Sequence, residues 1–209
     1  MATAARVARS PEARAILEFW LGDALTLGWP SSSRADLWFG GGAALDQQIE
    51  HRFGDLVRQA VQGGLAPWEN DAHERLARVL LLDQFTRNVF RGQSEAFSGD
   101  KRACALALDG LASGWDRQLP LAGRVFLAMP LMHAESLPMQ ERALAFFTAL
   151  HADADPQHRD TVLANLESAR EHHAIIARFG RFPHRNAALG RSPTPQETAY
   201  LHSGKRFGQ

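Results

Sequence analysis

Apolar residues recur at helical spacing along most of this chain, and no run of alternating β-branched residues predicts a strand. Between residues 43 and 61, for example, Leu45, Ile49 and Phe53 fall on one face of a helix that a pair of glycines ends. Serine, threonine, aspartate and proline at typical starting positions mark several of the other helices. The pattern predicts about eight helices, which begin near residues 10, 43, 71, 100, 120, 136, 155 and 194.

The connections between these helices are short, so consecutive helices should pack antiparallel within one domain. We therefore predict an all-α fold over residues 1–209, with residues 1–9 as a flexible lead-in. A long loop is expected over residues 22–42, where Trp29, Trp38 and Phe39 should fold back onto the core or onto a ligand. Pro130 should break or kink the fifth helix.

The third helix, which should end near Arg91, carries a polar stripe that we expect to be buried. At about 100° per residue, Asp83, Gln84, Arg87, Asn88 and Arg91 share one arc of the helix. The four residues before Asp83 are apolar on every side, which is typical of a helix inside a protein. Buried charges must be paired, and Asp83 and Arg87 have the i,i+4 spacing of an ion pair.

A second polar segment, residues 178–191, is rich in arginine and contains no carboxylate. Guanidinium groups this close repel one another, so they need acids from elsewhere in the fold or an anion from outside it. We expect the segment to fold back over the third helix and to leave positive charge in excess of its internal partners. Asp100, Glu135, Glu171 or a bound ligand would supply the missing charge. The residues expected to bind this ligand are Trp38, Asp83, Arg87, Asn88, Arg91, Arg181, Arg185, Asn186 and Arg191.

His133 and Glu135 follow a proline that interrupts the fifth helix, where a small hollow often opens. Together with His184 they are our candidates for proton transfer. The alternative is that they pair with arginines and fix the helix geometry. His172 and His173 cannot chelate one metal ion together, because adjacent helical residues lie on different faces. No nucleophile or phosphate-loop motif occurs. The catalytic residues therefore stay unassigned, and neither a metal nor a cofactor is predicted.

The composition narrows the classes of partner. The formal net charge is zero, and only two of the 23 basic residues are lysine, which leaves little for tracking nucleic-acid phosphates. No apolar run approaches the roughly 20 residues that span a bilayer. The single cysteine, Cys104, excludes an intrachain disulfide and fits a reducing cytoplasm. We therefore expect a cytoplasmic protein that binds neither nucleic acid nor membranes.

Four segments occur in a distinctive order and spacing: residues 19–20 with 38–39, residues 82–88 with 91, residues 129–135, and residues 178–191. The most specific reads RFGRFPHRN over residues 178–186. In these segments the chain resembles an uncharacterised bacterial family, classed as a domain of unknown function. Members of that family are similar in overall shape to tetratricopeptide-repeat (TPR) proteins. The resemblance implies an all-helical, TPR-like fold, and it implies no established activity.

Three functions stay open from the sequence. In the first, the arginines hold the carboxylate or phosphate of a small molecule, and acid–base chemistry acts on it. In the second, a TPR-like surface holds an acidic peptide. In the third, the charges form an internal network that pins the C-terminal segment onto the third helix. Geometry separates the first two, because a closed cavity fits a metabolite and a long open groove fits a peptide.

Overall fold

The computed structural model describes residues 8–204, and over that range it contains helices and no strands. This confirms the predicted all-α, single-domain fold. The described chain contains ten α-helices: α1 Pro11–Leu21, α2 Ala24–Leu27, α3 Ala43–Val61, α4 Ala72–Val79, α5 Thr86–Val89, α6 Asp100–Ala112, α7 Leu121–His133, α8 Leu137–Ala152, α9 Arg159–Phe179 and α10 Pro195–Ser203. Short 3₁₀ and π-helical turns connect several of them.

The predicted start and stop signals act as expected at both ends of the fold. The Ser10 side chain accepts a hydrogen bond from the Ala13 amide and caps α1. Thr194 and Glu197 form a reciprocal capping box at the start of α10. Gly180 ends α9 with a φ of +69°, a left-handed conformation that glycine adopts without steric cost. Local capping chemistry therefore sets these helix ends.

Three segments differ from the prediction. The expected loop over residues 22–42 contains α2 and a π-helical turn, Asp36–Gly40. The expected third helix consists of α4, a π-helical stretch from Leu80 to Phe85, and α5. Helix α7 continues through Pro130 to His133, so the proline does not break it, and the alternative of a kink stays a prediction. Ten of the 13 residues of α7 are buried, and this packing outweighs the backbone hydrogen bond that proline removes.

The core surrounds α7, which packs against α4, α6, α8 and α9. All eight residues of α4 are buried beside it. A smaller apolar cluster of Ile175, Ile176 and Phe182, with Phe179 and Tyr200 against it, holds the C-terminal segment to the end of α9. This arrangement brings the segment around residues 182–185 close to the end of α7.

Residues 1–7 of the predicted lead-in lie outside the described range, and Ala8 at its end is fully buried. None of the described helices is long and apolar enough to cross a membrane. The likeness to TPR proteins stays a prediction.

Candidate functional site

A cavity of about 360 Å³ opens beside the end of α7. Its walls come from the π-helical turn at residues 36–40, the π-helical stretch with α5, helices α7 and α9, and the segment around residue 185. Its apolar lining residues are Trp20, Trp38, Phe39, Phe97, Met129 and Met132. Its arginine and histidine lining residues are Arg87, Arg91, His133, His172, His184 and Arg185. The two sets are in contact, since the guanidinium of Arg185 lies over the ring of Phe97 at 4.7 Å.

Trp38, one of the predicted ligand-binding residues, is fixed by the core. Its indole Nε1 donates a hydrogen bond to the backbone oxygen of Trp20 at 2.8 Å. Its ring contacts Phe126 edge to face, with the ring centres 5.0 Å apart. Arg34 donates to the same Trp20 oxygen at 3.0 Å and so secures the turn that carries Trp38. These contacts hold the Trp38 ring in place.

The carboxylate of Asp83 is fully buried behind the cavity wall. Its two oxygens lie 2.8 and 3.0 Å from Nδ1 of His133, and the side-chain amide of Gln84 donates to it at 2.6 Å. Burial alone would raise the pKa of Asp83, but its interactions with His133, the charge of Arg87 and the hydrogen bond from Gln84 outweigh burial and lower it. The group is therefore an ionised carboxylate whose closest partners are an imidazole and an amide.

The predicted pair between Asp83 and Arg87 is looser than expected. The nearest guanidinium nitrogen of Arg87 lies 3.7 Å from the Asp83 carboxylate, and Arg87 donates instead to the backbone oxygen of Asp83. The reason is the π-helical stretch, which holds more residues per turn than an α-helix and changes the i,i+4 geometry. The burial predicted for the stripe is confirmed at Asp83, Gln84 and Asn88.

Asp100, the first residue of α6, joins two arginines. One carboxylate oxygen accepts from Arg87 at 3.0 Å and the other accepts from Arg185 at 2.9 Å. Arg185 also donates to the backbone oxygen of His133 at 3.0 Å, and its guanidinium lies between the rings of Phe97 and Phe182. Burial lowers the pKa of Arg185 to about 10, so it stays charged at neutral pH. The C-terminal segment thus reaches the third predicted helix through Asp100.

Arg91 and Asn88 share a partner that the sequence analysis did not identify. Asp46, near the start of α3, accepts from Arg91 through both oxygens, at 2.6 and 2.9 Å. The side-chain amide of Asn88 donates to the same carboxylate at 2.9 Å. Nothing in the sequence near Asp46 distinguishes it from the other acids on the polar face of α3.

The remaining predicted ligand-binding residues lie away from the cavity wall. Arg181 binds Glu197 through two hydrogen bonds of 2.7 and 2.8 Å, and Asn186 donates to the same carboxylate. Arg191 and Glu135 form a bidentate pair at 2.7 and 2.9 Å. This pairing follows the alternative reading of Glu135 as a partner of arginine.

The expected excess of positive charge is wrong. Five of the six arginines in the two polar segments lie against a carboxylate of the described chain, and the sixth, Arg178, is exposed. The pairs are Arg87 with Asp83 and Asp100, Arg185 with Asp100, Arg91 with Asp46, Arg181 with Glu197, and Arg191 with Glu135. Five carboxylates thus match five guanidiniums. Charge balance inside the protein therefore does not by itself require a ligand.

A family model described as a bacterial protein of unknown function, DUF924, matches residues 16–205. The chain belongs to this family. It is also similar to a solved structure of a protein of unknown function from Agrobacterium tumefaciens, with 35% identity and a TM-score of 0.77. That similarity covers 92% of this chain and 97% of the other. No curated protein matches the chain.

The match to the DUF924 model includes every residue that lines the cavity, from Trp20 to Arg185. Within this DUF924 chain the cavity wall contains Arg87, Arg91 and Arg185, whereas Asp46 and Asp100, which bind them, do not line the cavity. Glu171 of α9 is the acidic residue among the described residues of the wall. The lining therefore includes three arginines and one acidic side chain.

Two histidines of the wall are held neutral. Burial lowers the pKa of both His172 and His184 to about 3, with nearby positive charges acting in the same direction. The Nδ1 of His172 donates to the backbone oxygen of Ser168 at 2.7 Å, which fixes the tautomer of the ring. In the described part of the chain, no three histidine, cysteine or acidic side chains lie close enough to hold a metal ion.

The sequence analysis missed His172 as a wall residue, although a signal for it existed. Val162, Leu166, Ala169 and Ile176 mark the buried face of α9 at helical spacing, and His172 falls on the same face. A histidine on an otherwise apolar face indicates a buried polar contact. The pairing of His172 with His173 drew attention to metal chelation instead.

Proposed function

We propose that this DUF924 protein binds a small organic anion in the cavity, with a carboxylate or phosphate on the arginine side and an apolar body against the tryptophans. The observation that carries the proposal is the presence of paired arginines in the lining of the cavity. Three arginines line the cavity, while the carboxylates of Asp46 and Asp100 that bind them do not. These ion pairs hold the guanidinium groups in place, so that they are oriented before an anion binds.

The dimensions of the cavity support a metabolite. A volume of about 360 Å³ lies within the range of pockets that enclose small ligands, roughly 300–1,000 Å³. An acidic peptide bound as an extended segment needs an open groove instead. The aromatic side of the cavity, with Trp38 locked against Trp20 and Phe126, suits an aromatic or aliphatic body.

Residual exposure of the arginines supports the same assignment. The side chains of Arg87 and Arg185 keep 14% and 7% of their surface accessible, and Arg91 keeps 33%. Hydrogen bonds from these partly buried guanidinium groups to an anion are stronger than those at an open surface, because the surrounding dielectric constant is low. The purely structural network is the competing explanation, since the same arginines are already paired.

The test is calorimetric titration with phenylacetate, acetate and phenylacetamide, the neutral analogue of phenylacetate. We expect phenylacetate to bind more tightly than acetate, because the ring fills the aromatic side. We expect the neutral amide to bind at least about tenfold more weakly, since a charge-assisted hydrogen bond contributes roughly 1.5–3 kcal/mol. Equal binding of the acid and the amide would exclude an anion site, and a tighter fit of a short acidic peptide would favour the peptide alternative.

A pair of arginine variants locates the binding. Arg185→Met removes a guanidinium of the wall, and Arg181→Met removes one that lies away from it. We expect the first to weaken phenylacetate binding at least about tenfold and the second to leave it unchanged. Arg185→Lys keeps the charge and serves as a milder variant. An equal loss in both methionine variants, with intact circular dichroism, would mean that binding depends on general stability.

We further propose that the protein acts in the cytoplasm. The single thiol, Cys104, forms no disulfide in the described chain, which suits a reducing compartment. Fractionation of cells that produce the protein checks this location. Recovery in a periplasmic fraction would contradict it.

A further inference from the structure

The imidazole of His133 stands between a buried carboxylate and the cavity. Its Nδ1 faces Asp83 at 2.8 Å, and 17% of its side-chain surface stays accessible, while Asp83 has none. An ionised carboxylate only accepts hydrogen bonds, so Nδ1 must donate. In the neutral ring the lone pair is then on Nε2. The arrangement has the parts of a histidine base oriented by an aspartate.

Resting on the ligand site proposed above, we propose that His133 is a catalytic base that removes a proton from a carbon atom of the bound anion, with Asp83 as its positioning residue. The ligand class is a 2-oxo acid with an apolar body. Asp83 holds the ring in one tautomer and stabilises the imidazolium that forms, because it is buried, ionised and 2.8 Å away.

The choice of a 2-oxo acid follows from the two arginines beside His133. Arg87 and Arg185 bind the two oxygens of one carboxylate, Asp100, so their guanidinium groups are neighbours in the wall. Neighbouring guanidiniums can take the carboxylate of a 2-oxo acid and its adjacent keto oxygen. The keto oxygen is the atom that becomes negative when the proton leaves.

The step is balanced without a further reactant. The lone pair of His133 Nε2 forms an N–H bond as a C–H bond next to the keto carbon breaks. The electron pair of that C–H bond becomes the carbon–carbon double bond of an enolate, and the keto oxygen takes the negative charge. Return of the proton to carbon restores the 2-oxo acid and the neutral ring. No thiol or amine side chain lines the described cavity wall, which suits a reaction without a covalent intermediate.

Several charged and titratable groups surround His133. Asp83 and Arg87 come from the π-helical stretch and α5, Arg185 comes from the C-terminal segment, and Glu171 and His172 come from α9. The rings of His133 and His172 lie 5.8 Å apart, and His172 is neutral because burial lowers its pKa to about 3. His172 therefore does not oppose the positive charge that His133 gains, and the nearby charges of Arg87 and Arg185 are paired with Asp100.

The experiment measures two quantities with phenylpyruvate in D₂O. Calorimetry gives its binding, and proton NMR gives the rate at which its C3 hydrogens exchange for deuterium. We expect the protein to bind phenylpyruvate and to accelerate exchange above the rate in buffer alone. His133→Gln should lose at least about a hundredfold of the enzymatic rate, the low end of what a general base contributes, while the dissociation constant stays within about threefold.

Asp83→Asn tests the positioning role, and His173→Gln is the control, since His173 does not line the cavity. We expect Asp83→Asn to lower the exchange rate with little change in binding, and to shift the nitrogen NMR signals of His133 away from the Nδ1–H tautomer. His173→Gln should exchange like the wild type. If Asp83→Asn fails to fold, the rate of His133→Gln decides.

The outcomes separate the two proposals. Binding of phenylpyruvate without exchange above the buffer rate overturns the catalytic role of His133 and leaves the anion site intact. Absence of binding overturns the proposed function and the catalytic role together. Exchange that persists in His133→Gln assigns the base to another residue and overturns the role of His133.

Discussion

The molecule contains two arginine–carboxylate clusters that are alike in composition and different in surroundings. The cavity cluster consists of Asp83, Arg87, Asp100, His133 and Arg185. The C-terminal cluster consists of Glu135, Arg181, Asn186, Arg191 and Glu197. Both clusters neutralise their own charges. Within the part of the chain that the structure describes, only the cavity cluster borders the cavity that Trp38 and Phe39 line. Density of arginine in a sequence therefore does not distinguish the two clusters, whereas the cavity beside the guanidiniums of the first one does.

The clusters also differ in what they hold together. The C-terminal cluster fixes the chain on itself: Glu197 caps α10 while binding Arg181, which lowers the pKa of Glu197 to about 2. Glu135 accepts from the Phe182 amide at 2.8 Å and so anchors the segment after α9. The cavity cluster instead joins α6, α7 and the π-helical stretch. Its loss should therefore disturb the centre of the fold, and loss of the C-terminal cluster should disturb its end.

The largest expected effect is that of Asp83→Ala. Removing this carboxylate leaves the polar side chains of His133, Gln84 and Arg87 without their common buried partner. Loss of one member of a buried pair costs roughly 3–5 kcal/mol. Urea denaturation followed by circular dichroism gives the free energy of unfolding.

The control for Asp83→Ala is Asp55→Ala, whose side chain is fully exposed and pairs with Arg58 at 3.1 Å. That change should cost less than about 1 kcal/mol. A cost for Asp83→Ala in the same small range would show that the cavity cluster contributes no more to stability than a surface pair does.

An intermediate effect is expected from pH. The folded pKa of His172 is about 3, below its ordinary value of 6.5, so between these values the unfolded chain binds a proton that the folded protein does not. Stability therefore falls as the pH decreases through this window, by about 1.4 kcal/mol per pH unit for this one group. From pH 6.5 to pH 5 the difference between the wild type and His172→Gln should amount to about 2 kcal/mol.

The comparison is made above pH 5 because acids with lowered pKa values, among them Glu135 and Glu197, begin to lose their stabilising charge below about 4.5. Urea unfolding at several pH values in this range supplies the slopes. His173 is adjacent in sequence and half-buried, so His173→Gln should show the same dependence of unfolding free energy on pH as the wild type. Identical slopes for the wild type and His172→Gln would mean that His172 is protonated in the folded protein.

The smallest effect should come from Arg181→Met in the C-terminal cluster. The Arg181 side chain is 29% exposed, and its partner Glu197 keeps its bonds to Thr194 and Asn186. Loss of hydrogen bonds to a charged group should cost about 1–2 kcal/mol. Thermal unfolding with and without phenylacetate measures both stability and binding. Stabilisation by the ligand should be unchanged, and its loss would place this cluster within the binding site.

Much of the fold could be predicted because local signals set it. The caps at Ser10 and Thr194 and the glycine after α9 depend on residues that are neighbours in sequence. The burial of Asp83 followed from the apolar residues before it. Helix α2 and the turn at residues 36–40 were missed, because short helices depend on tertiary packing more than on pattern.

The residues of the site were easier to predict than the ion pairs that they form. Asp46 is 45 residues from Arg91, and Asp100 is 85 residues from Arg185, so no local spacing reveals these pairs. The π-helical stretch also changed the neighbours of Asp83, which a uniform angle per residue does not anticipate. The sequence analysis therefore located the polar residues and overestimated their free charge.

The most direct test of the anion site is a crystal of the protein soaked with 4-bromophenylacetate, in which the bromine marks the ligand by anomalous scattering. We predict a bromine peak inside the cavity, against Trp38, with the carboxylate within hydrogen-bond distance of Arg185 or Arg87. The peak should be absent from crystals of Arg185→Met and present in those of Arg181→Met. An empty cavity in the wild type, with bromine found only on the outer surface, would contradict the account.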